Sequence, residues 1–175
     1  MAFLSNSKGR HLTQFDMVKL HVMTDIFHVL RCGKPVIGGP MARWQHGPVI
    51  DPAYNRIRSW GYNWEATGST GSENFKVVGK FNKAFSFQPT INVSAEEFSS
   101  SELEALNRAW DCVIGKKWDD LNDFFHAADS FVGRAWIAAG YDSAPIDWNV
   151  ILDSYAELNP ADAEKIQAIK SIISA

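Results

Sequence analysis

The chain has 175 residues, of which 46% are hydrophobic and 21% charged, with a formal net charge of −3. That length buries a core without disulfide or metal staples, and seven Trp with eleven Phe make the expected core aromatic. The slight acidity argues against nucleic acid as the main partner, because neutralising phosphates takes clustered Lys and Arg. Two cysteines, Cys32 and Cys112, are too few for a disulfide framework and read as buried free thiols of a cytoplasmic protein. The opening MAFLSNSKGR lacks the apolar run of a signal peptide, and no later run reaches the roughly 18 apolar residues of a membrane span.

Residues 1–13 are polar and are expected to form a loose arm. The first helix follows. Phe15, Val18, Val22, Ile26 and Val29 recur at spacings of three and four, and Met23, Phe27 and Leu30 widen that apolar face. Such a helix is covered on more than one side and is expected at the centre of the fold. Gly33 is placed to cap it and Pro35 to stop it. Residues 36–40 are turn material, 41–45 a helical turn or a short extended piece, and Gly47-Pro48 a break.

Asp51 as N-cap and Pro52 at the first helical position predict a second helix to about Trp60. The following GYNWEATGSTGSE, residues 61–73, reads as a loop. Residues 75–81 and 85–93 read as a β-hairpin turning at Asn82-Lys83, with a bulge at Gly79. Ser99 and Glu102 form a capping box ahead of a helical stripe of Leu103, Leu106, Trp110 and Val113. Further helices are expected over 118–128, over 131–139 with Trp136, from Ser143 through Leu152, and over 161–173 behind an Asn159-Pro160 start. The sum is a mainly α fold with minor β. It is a single compact domain of six or seven helices and one small antiparallel β-hairpin, spanning 14–158, with 159–175 a C-terminal amphipathic helix.

Two constellations invite a functional reading. On the first helix His21, Asp25, His28 and Cys32 fall within roughly a 60° arc, and all four are metal-ligand types. The helix rises about 16 Å from His21 to Cys32, so one ion cannot reach both ends. An adjacent pair would need ligands borrowed from His46 or His126. The alternative is a polar stripe that hydrogen-bonds to loops packed over it. The second constellation is Trp60, Tyr62 and Trp64, three aromatics in an uncharged stretch, which fit a protein-binding surface or a fold-back onto the core. Gly38-Gly39-Pro40 lacks the lysine of a phosphate loop, and no Gly-x-Ser-x-Gly elbow occurs.

A third pattern is an ordered set. Lys19-Leu20 on the first helix is followed by Gly33-Lys34-Pro35, then by Trp44-Gln45-His46-Gly47-Pro48-Val49. Ser101-Glu102-Leu103, Leu121 to His126, and Trp136 come later. In this order they resemble the Panacea domain, the family that includes SocA-like antitoxins, over roughly residues 14–152. The resemblance implies a non-enzymatic protein without cofactor. It would be an antitoxin of a bacterial or phage pair that binds and neutralises a cognate toxin, or else an adaptor that delivers the toxin to a protease. It implies that Lys19, Trp44, Gly47 and Pro48 shape the domain. The implied partners are the toxin, and beyond it a protease or a second copy of the chain, with no membrane. A metal-dependent hydrolase using His21, Asp25 or His28 is the enzymatic alternative.

Overall fold

A computed structural model describes residues 1–81 and 84–173, with Phe81 described by its backbone alone. Helix α1 (Ala2–Ser7), strand β1 (Leu12–Thr13) and helix α2 (Gln14–Cys32) open the chain. The expected loose arm is therefore structured. Its few apolar residues decide this: Leu4 and Leu12 are wholly buried. Thr13 starts α2 with a capping box, its Oγ1 accepting the Asp16 N–H at 3.0 Å while the Asp16 carboxylate accepts the Thr13 N–H at 2.9 Å. Gly33 ends it in the left-handed region at φ +72°.

Helix α2 is the centre of the core, as its wide apolar face predicts. Leu20, Val22, Met23 and Ile26 have no exposure, and burial contributes about 1.5–3 kcal/mol for each such side chain. That outweighs the few tenths of a kcal/mol by which β-branched residues disfavour a helix.

Beyond α2, the short strands β2 (Met41–Ala42) and β3 (Val49–Ile50) pair antiparallel, Met41 with Ile50 and Ala42 with Val49. They bracket the tight turn between Trp44 and Pro48. Helix α3 (Asp51–Thr67) then runs well past Trp60, so residues 61–67 are helix and not the expected loop. Packing overrides local composition here. Trp60 stacks on Phe75 at 5.3 Å and meets Phe87 edge-on at 5.9 Å, and one turn later Trp64 meets Phe85 at 6.2 Å. Asp51 does not cap the helix; its Oδ1 accepts the Trp44 indole N–H at 3.2 Å.

Strands β4 (Phe75–Phe81) and β5 (Ala84–Pro89) form the hairpin, with a register shift between Val77 and Gly79 where the bulge was expected. Strand β5 stops at Pro89, short of Val93, and the Asn82-Lys83 turn lies outside the described residues. An isolated hairpin is marginal in water. Here β1 adds a third strand, Leu12 opposite Phe87, giving the order β1-β5-β4.

Helix α4 (Ser100–Val113) carries the predicted Ser99–Glu102 capping box and lies along α2. Helices α5 (Trp118–His126), α6 (Phe131–Ala139), α7 (Trp148–Leu158) and α8 (Ala163–Ile173) follow, the last with Ile166 and Ile169 buried. Ser143 does not open a helix. Residues 143–146 instead pair with β2, Ile146 donating to the Met41 carbonyl at 2.8 Å, and Asp147 caps α7. Nor does Asn159 cap α8; its side-chain amide donates back to the Tyr155 carbonyl, and a 3-10 turn (Pro160–Asp162) intervenes. Among the described residues there are eight α-helices and five short strands, a mainly α fold with a small antiparallel sheet.

Candidate partner-binding groove

The scattered residues of the ordered set converge on one turn. Three carbonyls of the Trp44–Pro48 segment each lie against a nitrogen of a distant side chain. Trp136 Nε1, on α6, donates to the Trp44 oxygen at 2.8 Å. His126 Nε2, at the end of α5, faces the Gln45 oxygen at 3.0 Å. Lys19 Nζ, on α2, donates to the Pro48 oxygen at 3.0 Å. Gly47 sits at φ +89°, and a Cβ there would lie 2.9 Å from both Lys19 Nζ and Phe125 Cβ. Glycine is required twice over, by conformation and by space. The rings reinforce the clamp: His126 meets Trp136 edge-on at 4.3 Å, and the Arg43 guanidinium lies 3.8 Å over the Trp136 ring.

Lys19 is unusual in itself. It is 1% exposed, and no described carboxylate comes within ion-pair distance of it. Its ammonium faces the Phe125 ring at 4.6 Å and the Phe15 ring at 5.6 Å. Burial lowers its pKa to about 7.

The polar stripe of α2 serves a second turn. Asp25 accepts the backbone N–H groups of Val36, Ile37 and Gly38 at 2.8, 2.7 and 3.0 Å. Burial raises its pKa, and the three amides act in the opposite direction. His28 Nδ1–H donates to the Lys34 carbonyl at 2.7 Å, leaving Nε2 to accept from the Ser101 hydroxyl at 3.2 Å. His21 Nδ1–H donates to the Met17 carbonyl within the helix. Burial lowers the His21 pKa to about 4, the positive amino terminus adding to the shift and the Met17 bond opposing it. Two candidate ligands, Asp25 and His28, are thus committed to the loop that follows Gly33 and Pro35, and His21 to its own helix. Among the described residues no group of three or more His, Cys, Asp or Glu is placed to hold a metal.

The three aromatics of α3 part company. Trp60 and Trp64, four residues apart, face the sheet, whereas Tyr62 on the opposite side is 55% exposed. Tyr62 and the nearby Arg58, whose guanidinium donates to the Tyr62 hydroxyl at 3.3 Å, line a cleft of about 830 Å³. Its other walls include Phe15 and Lys19 of α2, Trp44, Phe85 of β5, and Trp118 at the start of α5, which is 50% exposed. The clamped turn therefore forms one side of the cleft. Trp118 and Arg58 carry no local sequence signal as groove residues. Trp118 shares the helical face of Leu121 and Phe125, and only the position of the α5 terminus leaves it uncovered.

Fold and groove together define a mainly α domain in which a turn, held by residues of three helices, borders an open aromatic cleft. The family model for the antitoxin SocA-like Panacea domain matches residues 17–130, from the first turn of α2 past the end of α5, and the chain belongs to this family. Comparison with curated proteins and with solved structures finds no match. No described helix is long and apolar enough to cross a membrane.

Proposed function

We propose that the chain is a cytoplasmic antitoxin that neutralises its cognate toxin by direct binding, without catalysing a reaction. Family membership supports an antitoxin-type role. The observation that carries direct binding is the cleft beside the clamped turn, where Tyr62 and Arg58 of α3 and Trp118 of α5 stand at the surface. Tyr, Trp and Arg are the residue types that dominate binding hot spots. Occluding a toxin takes an interface of about 1,200–2,000 Å² in total, so the cleft would be its centre and neighbouring surface its rim.

The test is co-expression with the protein encoded beside this chain. Growth arrest by that neighbour alone, relieved by this chain, is the expected outcome; a harmless neighbour, or arrest without relief, overturns the reading. Toxin level separates occlusion from delivery to a protease. Under occlusion the level stays constant while growth recovers, whereas delivery lowers it only where the protease is present.

A further inference from the structure

The cleft has a charge imbalance that the proposed function leaves unused. Its lining contains Lys19, Arg58 and Lys80 against a single acid, Glu65, and Glu65 is already paired with Lys80. Arg58 has only the Tyr62 hydroxyl as its hydrogen-bond partner among the described residues. Lys19 reaches one carbonyl and two aromatic faces, with no carboxylate within ion-pair distance among the described residues. Lysine is almost never fully buried unless paired. The surrounding walls are aromatic: Trp44, Tyr62, Phe85 and Trp118.

A ligand complementary to this surface brings one negative charge and flanking apolar bulk. We propose that the cleft receives a segment of the partner polypeptide in which an Asp or Glu side chain, set between large apolar residues, pairs with Lys19 while the apolar residues lie against Tyr62 and Trp118. This rests on the reading of the chain as a toxin-binding protein and adds the chemistry of the bound segment. The carboxylate supplies the missing counter-ion, and the positive cleft steers its approach. An acidic segment without apolar neighbours would leave the aromatic walls wet, and an apolar one without the acid would leave Lys19 without a carboxylate partner.

The test uses the full chain and a random peptide library displayed on phage. Selected peptides are synthesised with both ends capped, so that a bound carboxylate is a side chain and not a chain terminus. The expected result is a set sharing Asp or Glu beside Leu, Phe or Trp. Exchange of that acid for Asn or Gln, or Lys19→Met in the protein, weakens binding about 30-fold or more. Exchange in the peptide needs no variant protein, and Trp118→Ala, at an exposed position, gives a second readout from a folded chain. Peptides without an acid, binding that survives Lys19→Met and Trp118→Ala, or a library that yields no binder overturns the proposal. If Lys19→Met and Trp118→Ala chains still relieve growth arrest as well as the parent, the antitoxin reading stands and this one falls. If the neighbour is harmless, the antitoxin reading falls while the peptide result is unaffected.

Discussion

Lys19 and Pro48 are joined by one hydrogen bond across 29 positions of sequence, the Lys19 ammonium donating to the Pro48 carbonyl at 3.0 Å. Through this bond the central helix holds the turn that forms one side of the cleft. A buried cation is an expensive anchor, because burial disfavours the charged form. The folded chain holds this lysine at a pKa of about 7, against 10.5 for the free side chain.

The sign of the pH effect follows. Between pH 7 and 10.5 the unfolded chain keeps a proton on Lys19 that the folded chain has released, so stability rises with pH in that window, by up to about 1.4 kcal/mol per unit. Below pH 7 both states are protonated and the whole cost is felt. Lys19→Met removes the charge and keeps the bulk. Urea melts of both proteins from pH 6 to 10 isolate Lys19 from every other titrating group. The parent's stability should rise relative to the variant with increasing pH; parallel curves would show that the folded chain does not release the Lys19 proton early in that range.

Gly47→Ala should cost about 2–4 kcal/mol, from the strained φ and from the methyl group pressed against Lys19 and Phe125. Gly68→Ala is the control. Its φ of +76° is similarly strained, but nothing lies within 4 Å of the new methyl, so about 1 kcal/mol is expected. The difference between the two thermal shifts measures the crowding at the clamp, and equal shifts would show that the turn is free to give way.

Much of this architecture is legible in the residues. The spacing of Val18, Val22, Ile26 and Val29 marks the central helix, and Ser99 with Glu102 marks the start of α4. The ordered set from Lys19 to Trp136 is legible as a family pattern, but its meaning is not. That Trp136, His126 and Lys19 meet at three neighbouring carbonyls depends on the relative placement of α2, α5 and α6. Residues 61–67 mislead for a related reason. Gly61 looks like a helix breaker, yet a Cβ there would lie 2.3 Å from the Phe85 ring, so it is the residue that lets α3 approach the sheet. Tertiary burial decides such segments, and local propensity does not report it. The Trp60 and Trp64 rings are likewise read as surface or core only once β5 is in place beneath them.

Asp25 gives a test of the second turn. Asp25→Ala leaves three amides of Val36, Ile37 and Gly38 without their acceptor, and each unsatisfied buried donor costs about 1–3 kcal/mol where water cannot replace the lost partner. Asp25→Asn keeps one acceptor oxygen, enough for the Val36 and Ile37 amides that share Oδ1, and should recover most of the loss. Hydrogen exchange at these amides is the direct measurement: fast in Asp25→Ala, slower in Asp25→Asn. Protection unchanged in Asp25→Ala would show that the carboxylate does not hold this turn.

His21 predicts the behaviour in acid. Its folded pKa of about 4 lies below the free value of 6.5. As pH falls from 6.5 to 4 the unfolded chain takes up a proton that the folded chain refuses, so stability falls, by up to about 1.4 kcal/mol per unit. Below pH 4 this contribution levels off. His21→Met should flatten the difference across that range in denaturant melts. A histidine NMR titration gives the pKa directly, and a His21 midpoint near 6.5 would remove the effect.

Trp60 and Tyr62 separate stability from recognition. Trp60 lies on Phe75 and Phe87 between helix and sheet, so Trp60→Ala should cost about 3–5 kcal/mol of folding stability. Tyr62 is two residues on and more than half exposed, so Tyr62→Ala should stay within about 0.5 kcal/mol of the parent in a melt. Under the proposed function the order reverses in binding to the partner, for the folded proteins. Loss of an aromatic hot spot costs about 2 kcal/mol or more, roughly 30-fold in Kd, and Tyr62→Ala should show it in a titration at a temperature where both chains are folded. If Tyr62→Ala binds as the parent does, the interface lies away from this side of α3 and the cleft is not its centre.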